Sequence, residues 1–279
     1  MEFTKMHGAG NDYIYFNCLE NMIEDPESLS IRLSDRHFSI GGDGIVLICP
    51  SESADVRMRM FNADGSEGKM CGNAIRCVAK YIYDRGIARK DDINVETLSG
   101  IKKIHVFAEN GKVTSATVNM GKAAGLTSDE ITIEEGKGKF LIGYPMEAAG
   151  KSWNVTTVSM GNPHIVTFVP EVKDLDLMKI GPHFENSPLF PERINTEFVR
   201  VIDRTTLEMR VWERGSGETL ACGTGACATV TAAVLNGHCD KDTDVTVRLI
   251  GGDLVIRYTD DAVFMTGNAV EAFNGNVEI

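Results

Sequence analysis

Cys71 and Cys222 lie 151 residues apart, and the same spacing relates residues far on either side of them. Gly10-Asn11 falls on Gly161-Asn162, Met58-Arg59 on Met209-Arg210, Phe61 on Trp212, Glu67 on Glu218, Cys71-Gly72 on Cys222-Gly223, and Gly86 on Gly237. An offset held without gaps from residue 10 to residue 86 marks a duplicated half, the property that most often decides an architecture. Two related halves can pack about a pseudo-twofold axis and present equivalent residues to one shared cleft. The expectation is two opposed thiols, one per copy.

The pattern of apolar runs predicts an α+β chain of two such units. In the first, strands are expected at 13–17, 45–49 and 56–61, a helix at 72–84, then strands at 93–98, 101–107 and 113–119. The second repeats this order: strands at 153–160, 165–169, 197–202 and 207–212, a helix near 225–235, and strands at 245–250, 254–258 and 263–266. Both helices are apolar on nearly every side, and GACATVTAAVL carries no charge, so each is expected to be buried. The fold class is therefore two pseudo-symmetric domains, each a mixed, largely antiparallel sheet or barrel wrapped around a central helix. The domains are expected at 1–121, carrying Cys71, and 150–267, carrying Cys222. Residues 122–149 read as a connecting segment, and 268–279 as a tail packing back on the N-terminal half.

The composition is that of a soluble globular protein, 43% hydrophobic and 24% charged, and the net charge of −12 opposes binding to a phosphate backbone. The N-terminus MEFTKMHGAGNDY lacks the apolar core of a signal peptide, and no run approaches the roughly 20 apolar residues of a membrane span. Neither nucleic acid nor membrane is expected as a partner, and the expected location is cytoplasmic.

The seven cysteines, at 18, 49, 71, 77, 222, 227 and 239, show no disulfide framework. Cys71 to Cys77 and Cys222 to Cys227 are spaced so that neither pair shares a helix face, which argues against a metal site. Cys18, Cys49, Cys77, Cys227 and Cys239 read as small buried hydrophobes. Cys71 and Cys222 differ because each immediately precedes a helix, where unpaired N–H groups and the positive end of the dipole favour an anion. A lowered thiol pKa is expected there, down from about 8.5 toward neutrality. The N–H groups of Gly72, Asn73, Gly223 and Thr224 could clamp a carboxylate. Two acid/base thiols facing one bound carboxylate suit inversion of an α-carbon, where a base takes a proton from one face and an acid delivers one to the other.

The motifs around both thiols are specific. Asn62-Ala63-Asp64-Gly65-Ser66-Glu67-Gly68-Lys69-Met70-Cys71-Gly72-Asn73-Ala74-Ile75-Arg76 resembles the first signature of the diaminopimelate epimerases, and Trp212-Glu213-Arg214-Gly215 through Ala221-Cys222-Gly223-Thr224-Gly225 their second cysteine loop. Lys5 to Asp12, Gly161-Asn162-Pro163-His164 and Arg193-Ile194-Asn195-Thr196 also fit, so the resemblance spans the chain. It implies interconversion of LL- and meso-diaminopimelate in the route to lysine and cell-wall precursor, with no pyridoxal phosphate, metal or other cofactor. Carried over residue by residue, it makes Cys71 and Cys222 the acid/base pair and His164 and Glu213 the groups that tune them. It makes Asn11, Asn62, Asn162, Asn195, Glu213 and Arg214 the residues that read the substrate, together with Gly72, Asn73, Gly223 and Thr224. Gly44 departs from the glutamine that some members carry, while His7, His37 and the loop Gly41-Gly42-Asp43-Gly44 read as structural. The partner is a small molecule, with a homodimer as the expected assembly.

Three other readings stand beside this one. A proline racemase-like enzyme would share the thiol pair, but Arg214 and the CGN sequence argue against it. A noncatalytic amino-acid-binding protein would need no thiols. A redox protein would favour a C-x-x-C spacing, which these two cysteines lack.

Overall fold

The computed structural model describes residues 1–278. They form two compact units: Met1–Asn119 joined by the C-terminal segment from Thr266, and Met120–Met265. The first half of the chain runs β1 (Glu2–Gly8), β2 (Asn11–Asn17), α1 (Pro26–Ser34), β3 (Gly44–Cys49), β4 (Val56–Asn62), β5 (Glu67–Gly68), α2 (Gly72–Asp84), β6 (Asp92–Thr97), β7 (Gly100–Glu109) and β8 (Lys112–Asn119). The second runs β9 (Tyr144–Ala148), β10 (Lys151–Ser159), β11 (Pro163–Phe168), α3 (Leu177–Glu185), β12 (Asn195–Asp203), β13 (Thr206–Glu213), β14 (Gly217–Thr219), α4 (Gly223–Leu235), β15 (Asp244–Leu249), β16 (Gly252–Tyr258) and β17 (Val263–Asn268), and β18 (Val270–Asn276) ends the chain.

The duplication is visible element by element. Helices α1 and α3, and α2 and α4, begin and end 151 residues apart; after α4 the offset becomes 152, so that β6 and β7 align with β15 and β16. Pairing repeats as well. Strands β2 and β3 run parallel with Tyr13 opposite Gly44, and β11 and β12 run parallel with His164 opposite Asn195, the same register shifted by 151. Strands β4–β6 and β13–β15 are also parallel, while β1–β2, β3–β4, β6–β7, β7–β8, β10–β11, β12–β13 and β15–β16 are antiparallel. Each unit is thus the mixed, largely antiparallel sheet expected.

Period-two alternation lets each sheet bury both faces. From β2, Ile14 and Phe16 enter a core with Leu29 and Leu33 of α1, while the Tyr15 hydroxyl on the other face donates to the Ala74 carbonyl of α2 at 3.2 Å. In the second unit, Trp153, Phe184 of α3 and Phe198 meet edge-to-face at 5.1, 5.9 and 5.2 Å. Helix α2 packs on β1, β2, β6, β7 and β8, and α4 on β10, β11, β12, β13, β15 and β16. Both are the central helices predicted.

The sequence reading did not anticipate β1, β5, β9, β14, β18, α1 or α3. Residues 122–149, read as a connector, supply Leu126, Ile131, Leu141, Met146 and Ala148 to the second unit's core, and β9 pairs with β10. In the tail, β18 pairs antiparallel with β1, the counterpart of β10, and Val277 N–H donates to the Met1 carbonyl at 2.9 Å.

Candidate active site

Each thiol is the N-cap of the buried helix of its own unit. Cys71 and Cys222 have extended backbones, at φ −132°, ψ 121° and φ −120°, ψ 112°, and each sulfur accepts from the N–H three residues on: Ala74 at 3.5 Å and Gly225 at 3.4 Å. The first intrahelical bonds are Ile75 N–H to Cys71 and Ala226 N–H to Cys222. The N–H groups of Gly72, Asn73, Gly223 and Thr224 therefore lie in the first turn, outside the helical ladder.

In the first unit, Cys71 is half-buried and its thiol donates to Asn11 Oδ1 at 3.3 Å. Asn11 is held in turn, because its Nδ2 donates to Asp43 Oδ2 at 2.7 Å, so the amide oxygen is the atom left facing the sulfur. Asp43 and Asp12 both take Arg36, at 2.9 and 2.7 Å, and Asp12 also pairs with buried Lys5 at 2.6 Å. Burial alone would raise the Asp12 carboxyl, but hydrogen bonds from Arg36 and Lys5, with their charges, outweigh it and hold the group below its usual range. The loop around Asp43, read as structural, thus orients Asn11. Asn62 donates to Ser66 Oγ at 3.0 Å, and Asn73 Oδ1 accepts from buried Arg76 at 2.9 Å. At Gly44 a Cβ would sit 1.9 Å from the Phe61 carbonyl oxygen, so this backbone has no place for a glutamine side chain.

In the second unit, Cys222 is buried beside two carboxylates. Its thiol is pushed well above the ordinary value, by burial first and then by the charges of Glu213 and Glu197; hydrogen bonds from Thr224 and Gly225 act the other way and lose. This corrects the expected lowering at a helix N-terminus: loss of solvent and two negative neighbours exceed the dipole. Part of Glu213 reaches solvent but its carboxyl group is enclosed, and burial raises it despite hydrogen bonds with Thr219 and Cys222. The Thr219 hydroxyl donates to Glu213 Oε1. His164, fully buried, faces Glu197 Oε1 through Nδ1 at 2.8 Å and Asn162 Oδ1 through Nε2 at 3.0 Å. Asn195 donates to the Pro163 carbonyl at 2.8 Å and accepts the Arg214 N–H at 3.1 Å, tying the start of β12 to the start of β11 and to the turn after β13. The Arg214 guanidinium donates to the Glu192 carbonyl at 2.9 Å, so the expected reader of substrate is held by backbone.

Within the second unit Glu213 and Thr224 meet Cys222, with Asn162 and His164 behind Thr224, and within the first Asn11 meets Cys71; the side chains of Asn62, Asn73, Asn195 and Arg214 bond to other groups instead. Asp43, Glu197 and Thr219 were not anticipated. The available signal for Glu197 was one carboxylate inside the strand run Asn195-Thr196-Glu197-Phe198-Val199, where Val46 occupies the first copy.

Solved structures share this fold at low identity. A phenazine biosynthesis protein of the PhzF family from Bacillus anthracis superposes with a TM-score of 0.75 at 16% identity, covering 100% of this chain and 99% of that one. A probable proline racemase from Agrobacterium radiobacter does so at 0.69 and 13%, covering 100% and 93%. They define a class by fold alone, one shared with a PhzF-family protein and a probable proline racemase. Within that class, the diaminopimelate epimerase family profile matches residues 3–126 and 156–271, and the chain belongs to that family of isomerases. Relatives named diaminopimelate epimerase include those of Acetivibrio thermocellus, 56% identical over 100% of this chain and 99% of the relative, and Desulfovibrio desulfuricans, 52% identical over the same shares. Among the described residues no helix is long and apolar enough to cross a membrane.

Proposed function

We propose that this protein interconverts LL- and meso-diaminopimelate without a cofactor, using Cys71 and Cys222 as the two acid/base groups, one on each face of the α-carbon. The observation that carries the reading is the placement of a thiol at the N-cap of the buried helix in both copies of a duplicated fold. In one direction a thiolate removes the α-proton while the opposite thiol delivers its own; in the reverse direction the roles exchange. Cys222 reaches the thiolate form by passing its proton to Glu213, whose raised carboxyl suits it to receive one. The pair then keeps its total charge.

General acid–base catalysis contributes about 10²- to 10⁴-fold, so the first-turn N–H groups of Gly72, Asn73, Gly223 and Thr224 have a second duty, stabilising charge that develops next to the substrate carboxylate. Asn11, Asn62, Asn162, Asn195 and Arg214 orient the amino and carboxylate groups; for Arg214 this requires exchanging the Glu192 carbonyl for a carboxylate. His164 and Glu213 tune the two thiols. A cytoplasmic homodimer completes the proposal.

The test is incubation with LL-diaminopimelate in D₂O under reducing, metal-free conditions. One α-deuterium should appear with the meso isomer; no exchange contradicts the reading.

A further inference from the structure

Four hydrogen bonds link a fully buried carboxylate to the Cys222 sulfur. Glu197 Oε1 lies 2.8 Å from His164 Nδ1, His164 Nε2 lies 3.0 Å from Asn162 Oδ1, Asn162 Nδ2 lies 3.4 Å from Thr224 Oγ1, and Thr224 Oγ1 lies 3.6 Å from Cys222 Sγ. The direction of the chain follows from which atoms can donate. An amide oxygen only accepts, so His164 Nε2 carries the hydrogen of the second bond, and a further hydrogen lies between His164 Nδ1 and Glu197 Oε1, which leaves the pair without net charge. Asn162 then donates through Nδ2 to Thr224, which leaves the Thr224 hydroxyl hydrogen to point at the sulfur.

The surroundings are shaped for this carboxylate. A Cβ at Gly225 would lie 2.6 Å from Glu197 Oε1, so glycine at the third position of α4 admits the side chain. At the equivalent positions of the first unit stand Ala74 and Val46, and Tyr13 replaces His164. Glu197 Oε2 has no hydrogen-bond partner. An orphaned buried carboxylate oxygen is costly, which argues that the residue is kept for what Oε1 does.

We propose that Glu197 is a positioning residue that fixes His164 and Asn162 so that Thr224 donates a hydrogen bond to Cys222. The inference rests on the reading of Cys222 as an acid/base thiol, which gives that bond its purpose. Removing Glu197 has two opposed consequences. If Glu197 acted on Cys222 only as a negative charge, its removal would ease ionisation of the thiol, whereas loss of the aligned donor would hinder it. The sign of the change therefore separates a bystander charge from a positioning group.

The experiment is alkylation of the intact, substrate-free protein by iodoacetamide across a pH series, with Cys222 resolved by fragment mass spectrometry. E197V is expected to slow Cys222 alkylation about tenfold below the thiol's midpoint, the scale of one hydrogen bond to an ionised group. T224V should slow it equally, and the double variant should be no slower than either, because both break one chain. E197Q, whose amide N–H can donate to His164 Nδ1 and keep Nε2 a donor, should alkylate at the wild-type rate or faster. Should E197V not fold, E197D keeps the charge but shortens the reach and should be slowed as well. Alkylation of E197V at or above the wild-type rate, wild-type behaviour of E197D, or multiplicative slowing in the double variant overturns the proposal. No substrate enters the assay, so absence of epimerisation in the wild type would fault the functional reading alone.

Discussion

Cys71 and Cys222 share a backbone position and share little else. Each accepts the N–H three residues on, but Cys71 is half-buried and donates to an amide oxygen fixed by Asp43, whereas Cys222 is buried beside Glu213 and within reach of the Thr224 hydroxyl. The differences come in compensating sets. Where the second unit has Glu197, His164 and Gly225, the first has Val46, Tyr13 and Ala74, so the carboxylate, its imidazole partner and the space for it occur together or not at all. A duplicated fold can therefore keep two thiols in register while giving each its own surroundings.

Loss of either thiol should have the largest effect. Cys71→Ala and Cys222→Ala are each expected to reduce epimerisation about 10³-fold or more, measured as formation of the meso isomer. Substantial turnover in either would rule out a two-thiol reaction. Next in size is Glu213→Gln, which keeps the shape but removes the group that takes the Cys222 proton; a loss of about 10²-fold is expected. Because the deprotonated carboxyl is the working form and burial raises it, wild-type activity should fall as pH drops through a value above the ordinary carboxylate range of about 4.3. The variant should lack that acid limb in its pH–rate profile.

Val46→Glu sharpens the comparison from the other side. It places a carboxylate in the first unit at a fully buried position, without the histidine that meets Glu197. Denaturant unfolding should show a loss of about 3–5 kcal/mol, the cost of an unpaired buried charge. A neutral effect would mean the strand tolerates a carboxylate unaided.

Much of this was legible in the sequence because it is local. Apolar runs mark β2 to β4 and their copies, and the helices expected at 72–84 and near 225–235, the second without a charged residue, are found at 72–84 and 223–235. Helix α1 was missed because Pro26–Ser34 presents only Leu29 and Leu33 as large apolar residues to the core, although Asp25 at the N-cap and Pro26 at N1 are start signals. Strand β18 was missed because its partner β1 is at the other end of the chain, a pairing no window can see. At the site, the thiols and their glycines follow from spacing, whereas the rise of the Cys222 thiol does not. It depends on burial and on Glu197, a residue 25 positions away in sequence brought close by β12.

The most direct test of this inequality is the pH dependence of Cys222 modification in the wild-type protein, read peptide by peptide. The midpoint is expected above the ordinary thiol value of about 8.5. A midpoint at or below that value would show that the helix N-terminus governs Cys222 and would contradict the account.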